Sequence, residues 1–287
     1  MRAAIRILLF AILVCTSGCG PTAPVAKTGV HTGTWRMELD LLGDPLPFNF
    51  SLKKEDNGAW VAHVHNGAED IRVDDVEFRN DSFLLRMPLF DSEFRGVLLN
   101  DSTIKGEWFN YLKGPQYHIP FVASAHTDHR FPGPSNGKTR VTGTWETHFS
   151  MGTDDAYNAI GLFEQHDNGR ATGTFLTETG DYRYLEGIVH NDSLKLSCFD
   201  GSHAFLFLAA LKGDSLVGSF RSGNHWEEPW VATRNDAYAL QNPDSLTSLR
   251  EGYEMVDFRF PDLDGQLVSP TDPLFKGKAL MVQIMGS

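Results

Sequence analysis

Gly33-Thr34-Trp35-Arg36-Met37-Glu38-Leu39-Asp40 alternates apolar and polar side chains, the period of a strand with one buried face. Its opening triplet returns 110 positions later as Gly143-Thr144-Trp145. Three more anchors follow in the same order. Asn80-Asp81-Ser82-Phe83 reappears as Asn191-Asp192-Ser193-Leu194 at an offset of 111. Asn100-Asp101-Ser102, ending at Trp108, reappears as Gly213-Asp214-Ser215, ending at Phe220, with the aspartates 113 apart. Pro120-Phe121-Val122-Ala123 reappears as Pro229-Trp230-Val231-Ala232 at 109. Four ordered anchors at a nearly constant spacing mark an internal duplication.

Working outward, the first unit reads as strands at 33–40, 48–52, 60–65, 73–78, 83–87, 94–99, 103–108 and 118–125. Turns at Glu55-Asp56-Asn57-Gly58 and Asn66-Gly67 have the hairpin chemistry that joins such strands. No stretch keeps a helical period. An antiparallel meander of eight strands exposes two edges unless it closes, and eight suffice for a small barrel. The Gly-x-Trp of each first strand resembles that of lipocalin-like barrels, in which the Trp plugs one end beneath a basic residue. Arg130 and Arg234 follow the last strand of each unit and are the residues that could supply it. The expected fold is therefore mainly β: two tandem antiparallel β-barrel-like repeats over 31–130 and 139–235. The linker between them is the Pro/Gly-rich loop around Phe131-Pro132-Gly133-Pro134.

Residues 1–19 carry Arg2 and Arg6 before a short apolar run, Ile7 to Val14, and end in Thr16-Ser17-Gly18-Cys19. The run is too short for a membrane-spanning stop-transfer helix and reads as an export signal. The segment resembles a bacterial lipoprotein signal, which implies lipidation at Cys19, a tether over 20–30, and a periplasmic, membrane-anchored protein of the cell envelope. The chain has three cysteines in all, and Cys198 lies in the strand-like Leu194 to Phe199, where a lone thiol is a small buried hydrophobe. A net charge of −12 without clustered Lys/Arg excludes nucleic acid as a partner.

Residues 236–252 link the second unit to a different kind of pattern over 253–287. Met255 to Phe260 alternates, Pro261-Asp262-Leu263-Asp264-Gly265 is a turn, and Gln266 to Ser269 reads as a returning strand. Lys276-Gly277-Lys278 then precedes Ala279 to Met285, an apolar run of the kind found in central strands. These residues resemble the start of a TlpA/ResA-type thioredoxin domain. The resemblance implies an incomplete thioredoxin-like α/β domain at the end of the chain. It also implies a redox Cys-x-x-Cys just after Ser287, so that no catalytic residue lies within the chain. The implied activity is that of an envelope thiol–disulfide oxidoreductase, with disulfide-bearing envelope proteins as substrates and a membrane thiol–disulfide donor as electron source.

Other constellations are weaker. His63 and His65 share one strand face, and His126 and His129 close the first unit, but no spacing matches a zinc site, so neither metal nor cofactor is expected. His225-Trp226-Glu227-Glu228-Pro229-Trp230 combines acids with aromatics and reads as a hairpin leading into the last strand, or as the lining of a barrel mouth. The reading from another class is a non-enzymatic β-barrel lipoprotein that binds a small apolar ligand or a protein partner. Room inside a barrel would favour it, since filled interiors are structural.

Overall fold

The computed structural model describes residues 29–133, 140–242, 245 and 248–283. The first repeat forms β1 (Gly33–Leu41), β2 (Asp44–Lys54), β3 (Trp60–Asn66), β4 (Glu69–Arg79), β5 (Ser82–Arg86), β6 (Ser92–Asn100), β7 (Thr103–Asn110) and β8 (His118–Ala125). Each strand pairs antiparallel with the next, and β1 pairs with both β2 and β8, so the barrel is closed. All eight strands expected from the alternation are present.

The second repeat forms β9 (Gly143–Phe149), β10 (Tyr157–Gln165), β11 (Arg170–Thr177), β12 (Gly180–Asp181), β13 (Leu185–His190), β14 (Ser193–Phe199), β15 (Ala204–Lys212), β16 (Ser215–Ser222) and β17 (Trp226–Arg234). Here β9 pairs with β10 and β17, and β10 pairs with β11, which closes eight strands while β12 adds only a short hairpin to β11. The tandem-barrel expectation holds.

Alternation sends one face of each strand inward. Trp35, Met37, Leu39 and Leu41 of β1 are buried, as are Trp145, Thr147 and Phe149 of β9. Gly33 and Gly143 begin these strands at φ +118° and +129°, a backbone region open to glycine and strained for other residues. Large side chains fill both interiors. Trp35, Trp108, Phe48, Phe50, Phe83 and Phe94 occupy the first barrel, and Trp145, Trp230, Phe149, Phe175 and Phe207 the second.

The tryptophan ends of the two barrels close differently. In barrel 2, Arg234 lies opposite Trp145 in the β9–β17 register, 4.6 Å above the indole, and donates to the Thr142 and Arg140 carbonyls. In barrel 1 the matching position opposite Trp35 is Ala125. There the end is covered by His31 and His126, whose rings lie 3.8 Å apart. The expectation that Arg130 caps Trp35 is thus corrected: it lies five residues beyond the last strand and turns to the other barrel.

The expected thioredoxin-like domain does not form. Residues 248–283 contain no α-helix, only the two-residue strands β18 (Phe260–Pro261) and β19 (Leu267–Val268) and one 3-10 turn, Pro273–Phe275. The Asp262 to Gln266 turn closes as its chemistry requires, with Asp262 N–H donating to Gln266 O at 2.8 Å. Residues 279–283, however, form no strand, and Met281 is 94% exposed. A central strand needs neighbours on both edges and cover on both faces, and the described residues supply neither. The TlpA/ResA resemblance and the oxidoreductase activity inferred from it are therefore overturned, and the expected Cys-x-x-Cys lies outside the described residues. Cys19 and Ser287 lie outside the described residues.

Candidate functional site

The two barrels meet along one continuous seam. Most barrel strands bury only alternate residues, but β14 buries Ser197, Cys198 and Phe199 in succession. Cys198 faces the core of barrel 2, while Phe199, with Ala204 and Leu206 of β15, belongs to the core of barrel 1. The Phe199 ring stacks on Phe48 at 4.4 Å and meets Trp108 and Phe94 edge-on at 5.1 and 5.3 Å. The β14–β15 hairpin is the stopper of the first barrel.

A buried hairpin must satisfy its backbone. The N–H of Phe199 donates to Asn66 Oδ1 at 3.1 Å, and its carbonyl accepts from Asn66 Nδ2 at 2.8 Å, so one side-chain amide acts as a neighbouring strand. Ser92 Oγ donates to Gly201 O and Asn110 Nδ2 to Ser202 O. Ser197 Oγ donates to Pro47 O at 2.5 Å.

Arg130 ties this arrangement together. Its guanidinium donates to Ser197 Oγ, Asn66 Oδ1 and His65 O at 2.9, 2.9 and 3.0 Å and lies 3.3 Å from Glu186 Oε2. Glu186 also receives Arg170 Nε at 2.6 Å and the Gly67 N–H at 2.8 Å. Burial alone would raise its pKa, but Arg130, Arg170 and the Gly67 N–H together hold it below the usual carboxylate value. Asp200 is lowered likewise, burial being outweighed by His203 and the hairpin N–H groups. Arg183 bridges Asp200 of its own barrel and Glu69 of the other.

On the outside of this seam lies a groove of about 850 Å³. Its walls include the β3–β4 turn at Gly67 and Ala68, Leu162 and Glu164 of β10, Thr172 to Thr174 of β11, and Arg183 to Leu185. Leu162 and Tyr184 are exposed there. Both arginines in the groove, Arg170 and Arg183, are already paired with carboxylates. The enclosed Thr174 Oγ1 has no partner among the described residues.

The residues singled out in the sequence scatter. His63 and His65 do share a face, and both approach Asp70, at 2.6 and 3.5 Å. Burial comes first among the causes that lower the His65 pKa. His126 instead packs against His31 with the rings tilted by 47°, and no group of three metal-binding side chains occurs among the described residues. Cys198 is fully buried and its thiol is pushed far up by burial, so it is no nucleophile. The 225–230 stretch divides: His225 contacts Tyr117 and Lys113 of barrel 1, Trp226 is exposed, and Glu228 and Trp230 are buried in barrel 2.

Sequence reading missed Asn66, Arg130 and Glu186 as partners. Asn66-Gly67 is visible only as a turn, and nothing local says that the amide serves a strand 133 residues away. For Glu228 a signal existed. It shares its parity in β17 with Trp230 and Ala232, both inward-facing, so an acid was legible on the inner face.

No protein-family model matches the chain, and no curated protein does. Among solved structures, the chain is similar to a candidate outer membrane protein from Bacteroides fragilis, at 10% identity and a TM-score of 0.26, over 71% of this chain and 97% of that one. It is also similar to a protein of unknown function from the DUF3598 family of Nostoc punctiforme, at 12% identity and a TM-score of 0.23, over 70% of this chain and 94% of that one.

Proposed function

We propose that this protein is a non-enzymatic β-barrel binding protein, held in the cell envelope by a lipid on Cys19, that takes a small apolar ligand in the groove along the seam. Aromatic side chains fill both interiors, so neither barrel has room for a ligand inside, and the reading rests instead on the outer groove, a concave surface large enough for one. Its chemistry suits a neutral molecule. The two guanidiniums are engaged by carboxylates, and Leu162 and Tyr184 offer apolar surface. Because both barrels contribute walls and the seam is held by buried hydrogen bonds, the groove is preformed, which lowers the ordering cost of binding.

The neutral fluorophore N-phenyl-1-naphthylamine tests the site. Saturable 1:1 binding that Leu162→Asp abolishes, at an unchanged unfolding midpoint, is the expected result. Binding without saturation, or binding indifferent to Leu162→Asp, would remove the groove from consideration. The tether is tested separately: Cys19→Ser should move the protein from the membrane to the soluble fraction and eliminate labelling by a palmitate analogue.

A further inference from the structure

Glu228 sits within the mouth of barrel 2, the end opposite Trp145, at 4% exposure. Its carboxylate accepts from Ser150 Oγ at 2.6 Å and from the Tyr157 hydroxyl at 2.9 Å, and the Tyr182 hydroxyl bonds in turn to Tyr157. No Lys, Arg or His pairs with it among the described residues. Arg221 on the neighbouring strand is occupied by Asp44 and Glu227. A carboxylate withdrawn from water is costly unless a countercharge or a full set of donors compensates it, and two hydroxyls do so only in part.

The two tyrosines separate this carboxylate from a pocket of about 560 Å³ that opens on solvent. Ala156, Asn158, Glu178 and Asp181 complete much of its lining, and no basic side chain does. Burial, together with Tyr182 and Glu228, pushes the Tyr157 phenol well above its ordinary value, and burial raises Tyr182 too, so both rings stay neutral. Neutral phenol rings present electron-rich faces that attract cations. An anion would meet three carboxylates, and a neutral guest would leave Glu228 uncompensated. A hard metal ion would need several convergent oxygen ligands, and no such group occurs among the described residues.

We propose that this pocket binds an organic ammonium ion, held against Tyr157 and Tyr182 with Glu228 behind them as its countercharge. The pocket adjoins the seam groove across the Tyr182–Tyr184 kink, with Asp181 lining both, but the inference rests on Glu228, Tyr157 and Tyr182, which the groove does not include.

Isothermal titration of the full chain with choline and with n-butylammonium tests it, using 3,3-dimethyl-1-butanol as the uncharged isostere of choline. Saturable binding of at least one ammonium ion is expected, with the isostere at least about tenfold weaker. Glu228→Gln should weaken the ammonium about tenfold and leave the isostere unchanged. Should that variant fail to fold, the exposed-rim pair Glu178→Gln/Asp181→Asn should weaken binding about threefold. Failure of both ammonium ions to bind, equal binding of the isostere, or full affinity in Glu228→Gln or in a folded rim variant would each overturn the proposal.

Discussion

The two barrels descend from one pattern but seal their mouths by different means. Barrel 1 borrows its stopper: Phe199 arrives from the β14–β15 hairpin and stacks on Phe48. Barrel 2 makes its own. Between β12 and β13, Arg183 adopts φ +61°, and the Tyr182 ring turns in to meet Phe205, Phe207 and Phe220 at 5.3, 5.3 and 5.1 Å. In barrel 1 the corresponding strand, β4, continues from Glu69 to Arg79, with a register shift against β3 between Val73 and Val76 in place of a break. A single kink in the duplicated strand therefore lets one copy close itself, while the other depends on its sibling. Duplication gave each unit the same ladder; the division of labour lies in what fills the ends.

The largest expected effect breaks the borrowed seal. Phe199→Ala removes an aromatic from a fully packed site and should cost about 3–5 kcal/mol, read as a fall in the urea midpoint. Barrel 1 should suffer most, and tryptophan fluorescence from Trp108, which touches the Phe199 ring, should report it. An equal loss in both barrels would mean that they unfold as one unit. Asn66→Ala comes next. It strands the Phe199 N–H and carbonyl and one arm of Arg130, for a loss of about 2–3 kcal/mol.

The tryptophan ends give a finer contrast. Gly33→Ala and Gly143→Ala both place a side chain in a glycine-only backbone region, at about 1–3 kcal/mol each. The new Cβ at 143 would also lie 2.6 Å from Arg234 Nη1, whereas at 33 the nearest atom is His31 Nε2 at 3.3 Å. Gly143→Ala should therefore be the worse of the two in thermal melts, and Arg234→Ala in the Gly143→Ala background should recover part of the difference.

The smallest effects near neutrality concern pH, and the two seals should respond in opposite directions. Glu186 and Asp200 at the seam have folded pKa values below their ordinary 4.5 and 3.8. Their contribution is complete above those values and is lost as the pH falls toward the folded ones, so acid should loosen the borrowed seal. Tyr157 and Tyr182 are raised above 10, so their contribution is complete below pH 10 and is lost as the pH rises further. Urea midpoints measured from pH 3 to 11 should fall at both ends. Glu186→Gln should flatten the acid limb and Tyr157→Phe the alkaline one.

How much of this was legible follows from the range of each signal. Strand alternation and turn residues act locally, so both ladders could be read from Gly33 and Gly143 onward. The stopper could not. Ser197 and Phe199 have the outward parity of their strand, and only the second barrel explains their burial. Arg130 is expected over Trp35 because it follows the last strand of its unit as Arg234 does, while its actual partners, Asn66 and Glu186, are 64 and 56 residues distant. The last segment misled in the opposite sense. Ala279 to Val282 has strand composition, but composition without neighbours in space makes no strand, and Leu280 and Val282 are exposed. The inward parity of Glu228, shared with Trp230 and Ala232, is the site clue that the sequence does carry.

The borrowed stopper has a consequence for biogenesis. A chain that emerges N-terminus first can complete the barrel 1 ladder once Ala125 pairs with Trp35, yet Phe199 follows more than 70 residues later. Through that interval Phe48, Phe94 and Trp108 form an open aromatic bowl. An uncovered apolar surface on a half-emerged chain is where holding factors bind and where aggregation starts. Barrel 2, carrying its own Tyr182, has no such waiting period. The order of the two copies along the chain thus sets which of them needs protection during synthesis.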